Sequence, residues 1–289
     1  MNLFLKNLLI FVIFPVTYFG INYLINHLVI HKSKPEFKPS SVWIAGDSHL
    51  QTSIDPSLFN SASNIAMLAE PVVVTYFKLK FLFSFHKPDT LIMGFSQHTI
   101  SAFNDLKFSD IKWSNEMFRR TYAIINPYDL NGLIIDYHRY YKTLFRYMCL
   151  YPRTDHFDFI GSYQSVDANY AIDVDAAIDR HFYANGKKLG VSQLSISYID
   201  SIINLCKKEN VKLIFVASPV HKNYYERIPF SSMQNYKIEL KRKEVQGIKF
   251  IDLSHQFYID KYYMDADHLN AKGARLFTTK LINLLREDS

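Results

Sequence analysis

The sequence predicts an α/β domain built on a mainly parallel sheet, carried behind an N-terminal transmembrane helix. Three observations predict it. No Asp, Glu, Lys or Arg occurs between Asn7 and Ile30. Farther along, short apolar runs end in small or polar residues, as buried parallel strands do. Helical patterns alternate with those runs, and that alternation lays helices on the faces of one sheet.

The apolar run Leu8–Ile30 exceeds the roughly 20 residues that a helix needs to cross a bilayer. Pro15 and Gly20 are tolerated in such helices. No small-residue cleavage site follows Ile30, so residues 1–31 read as an uncleaved signal anchor. The other reading is a buried N-terminal helix of the globular part. Lys6 on one side, and Lys32, Lys34, Glu36 and Lys38 on the other, leave the orientation open. Residues 32–40, with Pro35 and Pro39, read as a tether, and 41–289 as the α/β domain.

Ser41–Ala45 reads as the first strand and Asn64–Met67 as a weak second. Val72–Phe85 suits a buried helix by length, although its β-branched start also fits a strand. Thr90–Phe95 is the third strand. Ile199, Ile202, Ile203 and Cys206 mark one face of an amphipathic helix. Val211–Ala217 and Ile248–Leu253 are further strands, with a charged, mainly helical Asn223–Val245 between them, interrupted near Pro229. Asn270 sits at the N-cap of a last helix whose apolar side includes Phe277, Leu281, Leu284 and Leu285. The aromatic-rich stretch from about 102 to 192 breaks the alternation and reads as a partly helical insertion.

Composition narrows the classes. The chain has 289 residues, 48% hydrophobic and 21% charged, which excludes a disordered chain. Nine Gly and ten Pro exclude a collagen-like or low-complexity protein. Two cysteines, Cys149 and Cys206, exclude a disulfide scaffold and a Cys-rich zinc module, leaving one bridge or none. The aromatic content of 16% points to a large core or to ring-lined grooves. The net charge of +6 is mild and scattered; Lys237, Lys241, Arg242 and Lys243 read as a solvated helix face, so no nucleic-acid partner is expected.

In parallel sheets ligands sit beyond the carboxyl ends of the strands, so strand ends are where chemistry is sought. Gly46-Asp47-Ser48-His49 follows the first strand. Ser48 is a candidate nucleophile if a base lies beside it; alone, the tripeptide is equally an ordinary turn. Before the last helix stands Asp265-Ala266-Asp267-His268. The spacing lets Asp265 hold the His268 imidazole, which can take the Ser48 proton and return it to a leaving group. Asp267 competes for that orienting role, and Asp47 is a further supporting group. His221 and His255 also follow strands and read as rim residues. No metal-binding spacing such as H-E-x-x-H is present, so neither metal nor cofactor is expected.

Together, Gly46-Asp47-Ser48 after the first strand and Asp265-x-x-His268 before the last helix resemble the SGNH, or GDSL-type, hydrolase superfamily. The resemblance spans roughly Ser41–Glu287, with the middle insertion unmatched. It implies a three-layer, flavodoxin-like α/β sandwich and a Ser48–His268–Asp265 triad. It also implies an oxyanion hole to which Ala66, Ser96 or Gln97 contributes. The family's Gly-x-Asn-Asp block departs here to Gly94-Phe95-Ser96-Gln97, without the Asn, which puts ordinary esterase efficiency in doubt.

With the anchor, the chain resembles a membrane-bound subgroup that acts on acylated cell-envelope polymers. What that implies is a serine acyl-esterase or O-acyltransferase on the outer side of the cytoplasmic membrane. Its substrate would be an acyl ester or glycan, and an envelope acyltransferase its partner. The alternative is a non-catalytic scaffold or glycan-binding subunit with the same fold.

Overall fold

A computed structural model describes residues 3–35, 39–130, 133, 135–168 and 172–287. In chain order the first elements are α1 (Leu3–Lys32), β1 (Val42–Ala45), α2 (Ser48–Ser53), β2 (Ala62–Asn64), α3 (Val72–Leu82) and β3 (Thr90–Gly94). Then come α4 (Phe103–Leu106), α5 (Ser114–Thr121), α6 (Tyr137–Met148), α7 (Val174–Phe182), β4 (Tyr183–Ala184) and β5 (Lys187–Lys188). The last are α8 (Gln193–Glu209), β6 (Lys212–Ala217), α9 (Lys222–Arg227), α10 (Phe230–Val245), β7 (Lys249–Asp252) and α11 (Ala271–Glu287). The chain divides into two compact units, one of residues 1–36 and 107–159, the other of 37–106 and 160–289. The stretch 102–192 is thus split between them.

The larger unit holds a five-stranded sheet in the order β2-β1-β3-β6-β7, parallel at every pairing. Side chains alternate across it because a strand repeats every two residues. Trp43, Ala45, Leu91, Met93, Leu213 and Phe215 point to one face, where they pack with α3, α8 and Tyr236 of α10. Ile44, Ile92, Ile214 and Val216 point to the other, where Leu50 of α2 and Phe277 and Leu281 of α11 cover them. The result is helix on sheet on helix, as the patterning implies.

Two sequence expectations shift locally. Val72–Phe85 is helical over Val72–Leu82 despite its β-branched start. The second strand is Ala62–Asn64 rather than Asn64–Met67. Asn64 Oδ1 accepts the Ala66 N–H at 3.0 Å, and this local bond turns the chain out of the ladder. A buried ion pair, Lys78 Nζ to Glu70 Oε2 at 2.5 Å, lies under α3. Lys78 Nζ also donates to the Ile65 carbonyl at 2.6 Å.

The smaller unit carries α1, the one described helix long and apolar enough to cross a membrane. It is not a buried core helix: among its described residues only Asn22, Asn26 and Ile30 are buried. The helix runs one residue beyond the expected anchor, to Lys32, and Glu36–Lys38 of the expected tether lie outside the described residues. The buried stripe explains its polar second half. Asn22 Nδ2 donates to the Cys149 carbonyl at 3.0 Å, and Asn26 Nδ2 to the Met148 and Tyr151 carbonyls at 2.9 Å each. The Met148 and Cys149 carbonyls lie at the end of α6, where helix geometry leaves them without an intrahelical partner, and that of Tyr151 lies just beyond it. Cys149 and Cys206 are free thiols.

Candidate active site

The site forms where the carboxyl ends of β1 and β3 meet the loop before α11. Gly46 ends β1 with φ +139°, a conformation open to glycine. A Cβ there would lie 3.3 Å from the Gly94 nitrogen, so two glycines let β1 and β3 approach closely under Leu50. The chain then turns into α2, whose first residue is Ser48. Asp47 caps that helix, its Oδ1 accepting the His49 N–H at 3.0 Å. The Ser48 N–H lies in the first turn, where a helix supplies no acceptor for it.

The opposing loop is built by its own polar groups. Asp265 Oδ1 accepts the N–H groups of Asp267 at 3.0 Å and His268 at 2.9 Å. Asn270 caps α11 through Oδ1, taking the N–H groups of Lys272 and Gly273, while its Nδ2 donates to the Lys261 and Tyr263 carbonyls. Gly273 lets the loop lie against the helix: a Cβ there would be 2.2 Å from the Tyr262 carbonyl oxygen.

These two ends bring Ser48, His268 and Asp265 into one hydrogen-bonded chain. His268 Nε2 is 2.8 Å from Ser48 Oγ, and His268 Nδ1 is 2.9 Å from Asp265 Oδ1. Ser48 is 8% and His268 7% exposed, so the contact is shielded from water. Asp267 does not take the orienting position; its Oδ1 is 3.6 Å from His268 Nδ1. Instead it is 1% exposed and bound through both oxygens to Arg180 Nη2 of α7, at 2.9 and 3.0 Å. Burial works against the charged imidazole of His268. The Asp267 charge and the Asp265 hydrogen bond outweigh it and raise the His268 pKa to about 9. Burial likewise opposes the Asp265 charge, yet His268 holds that carboxyl well below its usual range.

The other expected site residues are placed differently. The Ala66 N–H is engaged by Asn64. Ser96 Oγ bonds His98 Nδ1 at 2.8 Å and Thr99 Oγ1 at 3.2 Å, within the turn that it caps. Gln97 Nε2 lies 3.9 Å from Met233 Sδ. Among the described hydrogen bonds, none of the three reaches Ser48 or His268. Asp47 Oδ2 bonds His98 Nε2 at 2.7 Å. His221 is buried and caps α9, and His255 is exposed.

Sequence reasoning passed over a stack of imidazoles beside Ser48. His49 lies 3.9 Å from His98 and 4.7 Å from His268 between ring centroids, and His181 lies 4.8 Å from His98. Burial and neighbouring cations keep His181 well below the ordinary histidine value, its Nδ1 bonding Tyr224 Oη at 2.6 Å. His49 and His98 each follow a strand, so the strand-end criterion that singled out Ser48 also reaches them. Arg180 and His181 arrive from α7, with no local signal.

A family model without a functional description matches residues 171–289. No curated protein matches the chain. Solved structures resemble it, three of them as follows. One, from Streptococcus pneumoniae and provisionally described as a platelet activating factor, is 10% identical with a TM-score of 0.43, covering 99% of this chain and 100% of its own. A Bacteroides fragilis protein provisionally described as an acylhydrolase is 12% identical with a TM-score of 0.42, covering 91% of this chain and 94% of its own. A GDSL-like lipase from Bacteroides thetaiotaomicron is 10% identical with a TM-score of 0.43, covering 93% of this chain and 100% of its own. Two of these three are described as an acylhydrolase and a GDSL-like lipase, all at low identity, and what this chain does must be read from its own side chains.

Proposed function

We propose that the protein is a membrane-anchored serine acyl-esterase or O-acyltransferase acting on an acylated cell-envelope glycan or a related ester. The observation that carries this reading is the Asp265–His268–Ser48 chain, with links of 2.9 and 2.8 Å across a buried strand-end site. In this reading neutral His268 takes the Ser48 proton at Nε2 as Oγ bonds the acyl carbon. The oxyanion faces the Ser48 N–H at the start of α2. The carbonyl re-forms, the alkoxide leaves with the proton from Nε2, and an acyl–Ser48 ester remains. Water or a glycan hydroxyl then gives its proton to Nε2 and attacks that ester. Collapse frees Ser48, which recovers the proton. Asp265 holds the ring and balances the imidazolium. The apolar length of α1 supports a membrane anchor, and the resemblance to envelope enzymes motivates the outer face.

A fluorophosphonate probe tests the reading on full-length protein in detergent. Labelling that is lost in Ser48→Ala supports it; folded protein that stays unlabelled rejects it. A second reading, a non-catalytic glycan-binding scaffold, draws on one observation: the Ala66 N–H, a candidate oxyanion donor, is engaged by Asn64. Unlabelled protein that still binds acylated envelope glycan supports that reading.

A further inference from the structure

We infer that the smaller unit binds the phosphate headgroup of an anionic lipid in a basic groove between α5 and α6. The groove is open and holds about 580 Å³. Its walls carry Lys112, Arg119, Arg139, Lys142 and Arg146 against one carboxylate, that of Glu116, among the described lining residues. Two of the cations are already paired. Arg119 meets Glu116 at 2.8 Å and Asp158 at 2.9 Å, and Arg139 meets Asp136 at 2.7 Å. Glu116 is shared with Arg120, at 2.7 Å. Lys112, Lys142 and Arg146 form no ion pair among the described residues. Lys112 and Arg146 lie over the neighbouring rings of Trp113 and Tyr147, at 5.2 and 5.7 Å from the centroids.

Lys142 and Arg146 stand one turn apart on α6, and both line the groove. Like charges so placed oppose each other. With no carboxylate between them, the pair favours an anion from outside. A phosphate suits it, because the planar guanidinium of Arg146 can take two oxygens while Lys142 and Lys112 supply point charges.

A second stripe of α6 argues for a lipid as the source of that phosphate. Tyr137, Tyr141 and Phe145 recur along the helix and are all exposed. Phe145 meets Phe19 of α1 with ring centroids 5.0 Å apart, and Tyr18 Oη donates to the Leu150 carbonyl at 2.7 Å. A helix needs about 20 residues to fill a bilayer, so a span that starts at Leu3 ends near Asn22, the first buried residue of α1. Tyr18 and Tyr23 then stand at headgroup level, where such rings collect, and so does the end of α6 that meets α1. Rings and cations side by side on one helix at that depth make an interfacial element whose charges face anionic headgroups.

The inference rests on the membrane anchor proposed for α1 and not on the serine chemistry. Full-length protein in neutral detergent is mixed with phosphatidylglycerol or with phosphatidylcholine of the same acyl chains. Bound lipid is measured by native mass spectrometry. The anionic lipid should bind at least about tenfold more tightly, and added salt should shrink the difference. Lys142→Gln and Arg146→Gln, each checked for folding by circular dichroism, should each weaken phosphatidylglycerol about fivefold. Lys237→Gln and Lys241→Gln on α10 should leave it unchanged. Equal binding of the two lipids overturns the proposal, as does a preference that survives loss of both Lys142 and Arg146. Glycerol phosphate or polygalacturonate that binds as tightly as the lipid overturns the lipid as ligand. Retention of the protein on pure phosphatidylcholine vesicles after an alkaline wash reports on the anchor separately, so failure of the anchor and failure of the groove are distinguishable.

Discussion

Asp265 Oδ1 stands 2.9 Å from Nδ1 of His268, whereas Oδ1 of Asp267, two positions along the same loop, stops at 3.6 Å. One carboxylate orients the ring; the other, tied to Arg180, acts on it through charge. Asp265→Asn should therefore lower the acylation rate by about 10²–10⁴-fold, since the amide neither fixes the tautomer nor balances the imidazolium. Asp267→Asn should cost far less. Stopped-flow measurement of probe acylation checks the contrast, and equal losses would count against it.

Because His268 is raised to about 9, it rests protonated at neutral pH, with its Nε2–H turned to Ser48. The base form needed to activate Ser48 appears only as pH rises. Acylation should increase about tenfold per unit up to about pH 9 and then level off. The accompanying stability, complete below the ordinary value of 6.5, should be lost as pH passes through about 9. Asp267→Asn removes a charge that raises this group, so its profile should move to lower pH. Rates across a buffer series decide the matter; a flat profile from pH 6 to 9 would contradict it.

Lys78 and Glu70 form an ion pair whose side chains are 0% and 1% exposed. Lys78→Met leaves the buried Glu70 carboxylate without its cation and should destabilise the fold by about 3–5 kcal/mol. Lys78→Met with Glu70→Gln should recover part of that loss. Denaturant midpoints of the two variants would show whether the charge or the packing dominates.

Gly273 normally invites an alanine, because Gly inside a helix costs about 1 kcal/mol. Here the added methyl would sit 2.2 Å from the Tyr262 carbonyl oxygen, a backbone atom that cannot swing away. Gly273→Ala should thus destabilise by about 1–3 kcal/mol and slow acylation by displacing the Asp265–His268 loop. A variant with raised thermal stability and unchanged rate would refute this.

The sheet was legible because its strands are short apolar runs and its helices show their buried faces, as at Ile199, Ile202, Ile203 and Cys206. Gly46 through His49 and Asp265 through His268 were legible because each lies in a contiguous motif at a strand or helix end. Arg180 and His181 were not. They reach the site from α7, across a distance in sequence that no local period encodes. The second strand starts two residues and ends three residues earlier than expected, because the side-chain bonds of Asn64 decide where the ladder stops. The expected oxyanion donors were assigned by position alone, whereas hydrogen bonding by Asn64 and His98 fixes where Ala66 and Ser96 point.

The amides of Asn22 and Asn26 give α1, a helix long and apolar enough to cross a membrane, a task within the fold, for they finish a helix that lies more than a hundred positions away in the chain. A foreign hydrophobic segment spliced in its place would match its apolar length, but would strand the carbonyls of Met148, Cys149 and Tyr151 without these donors. This helix is therefore not a portable tag. Changes to it and to residues 107–159 are expected to be inherited together, and a truncated product lacking α1 should lose the order of its smaller unit.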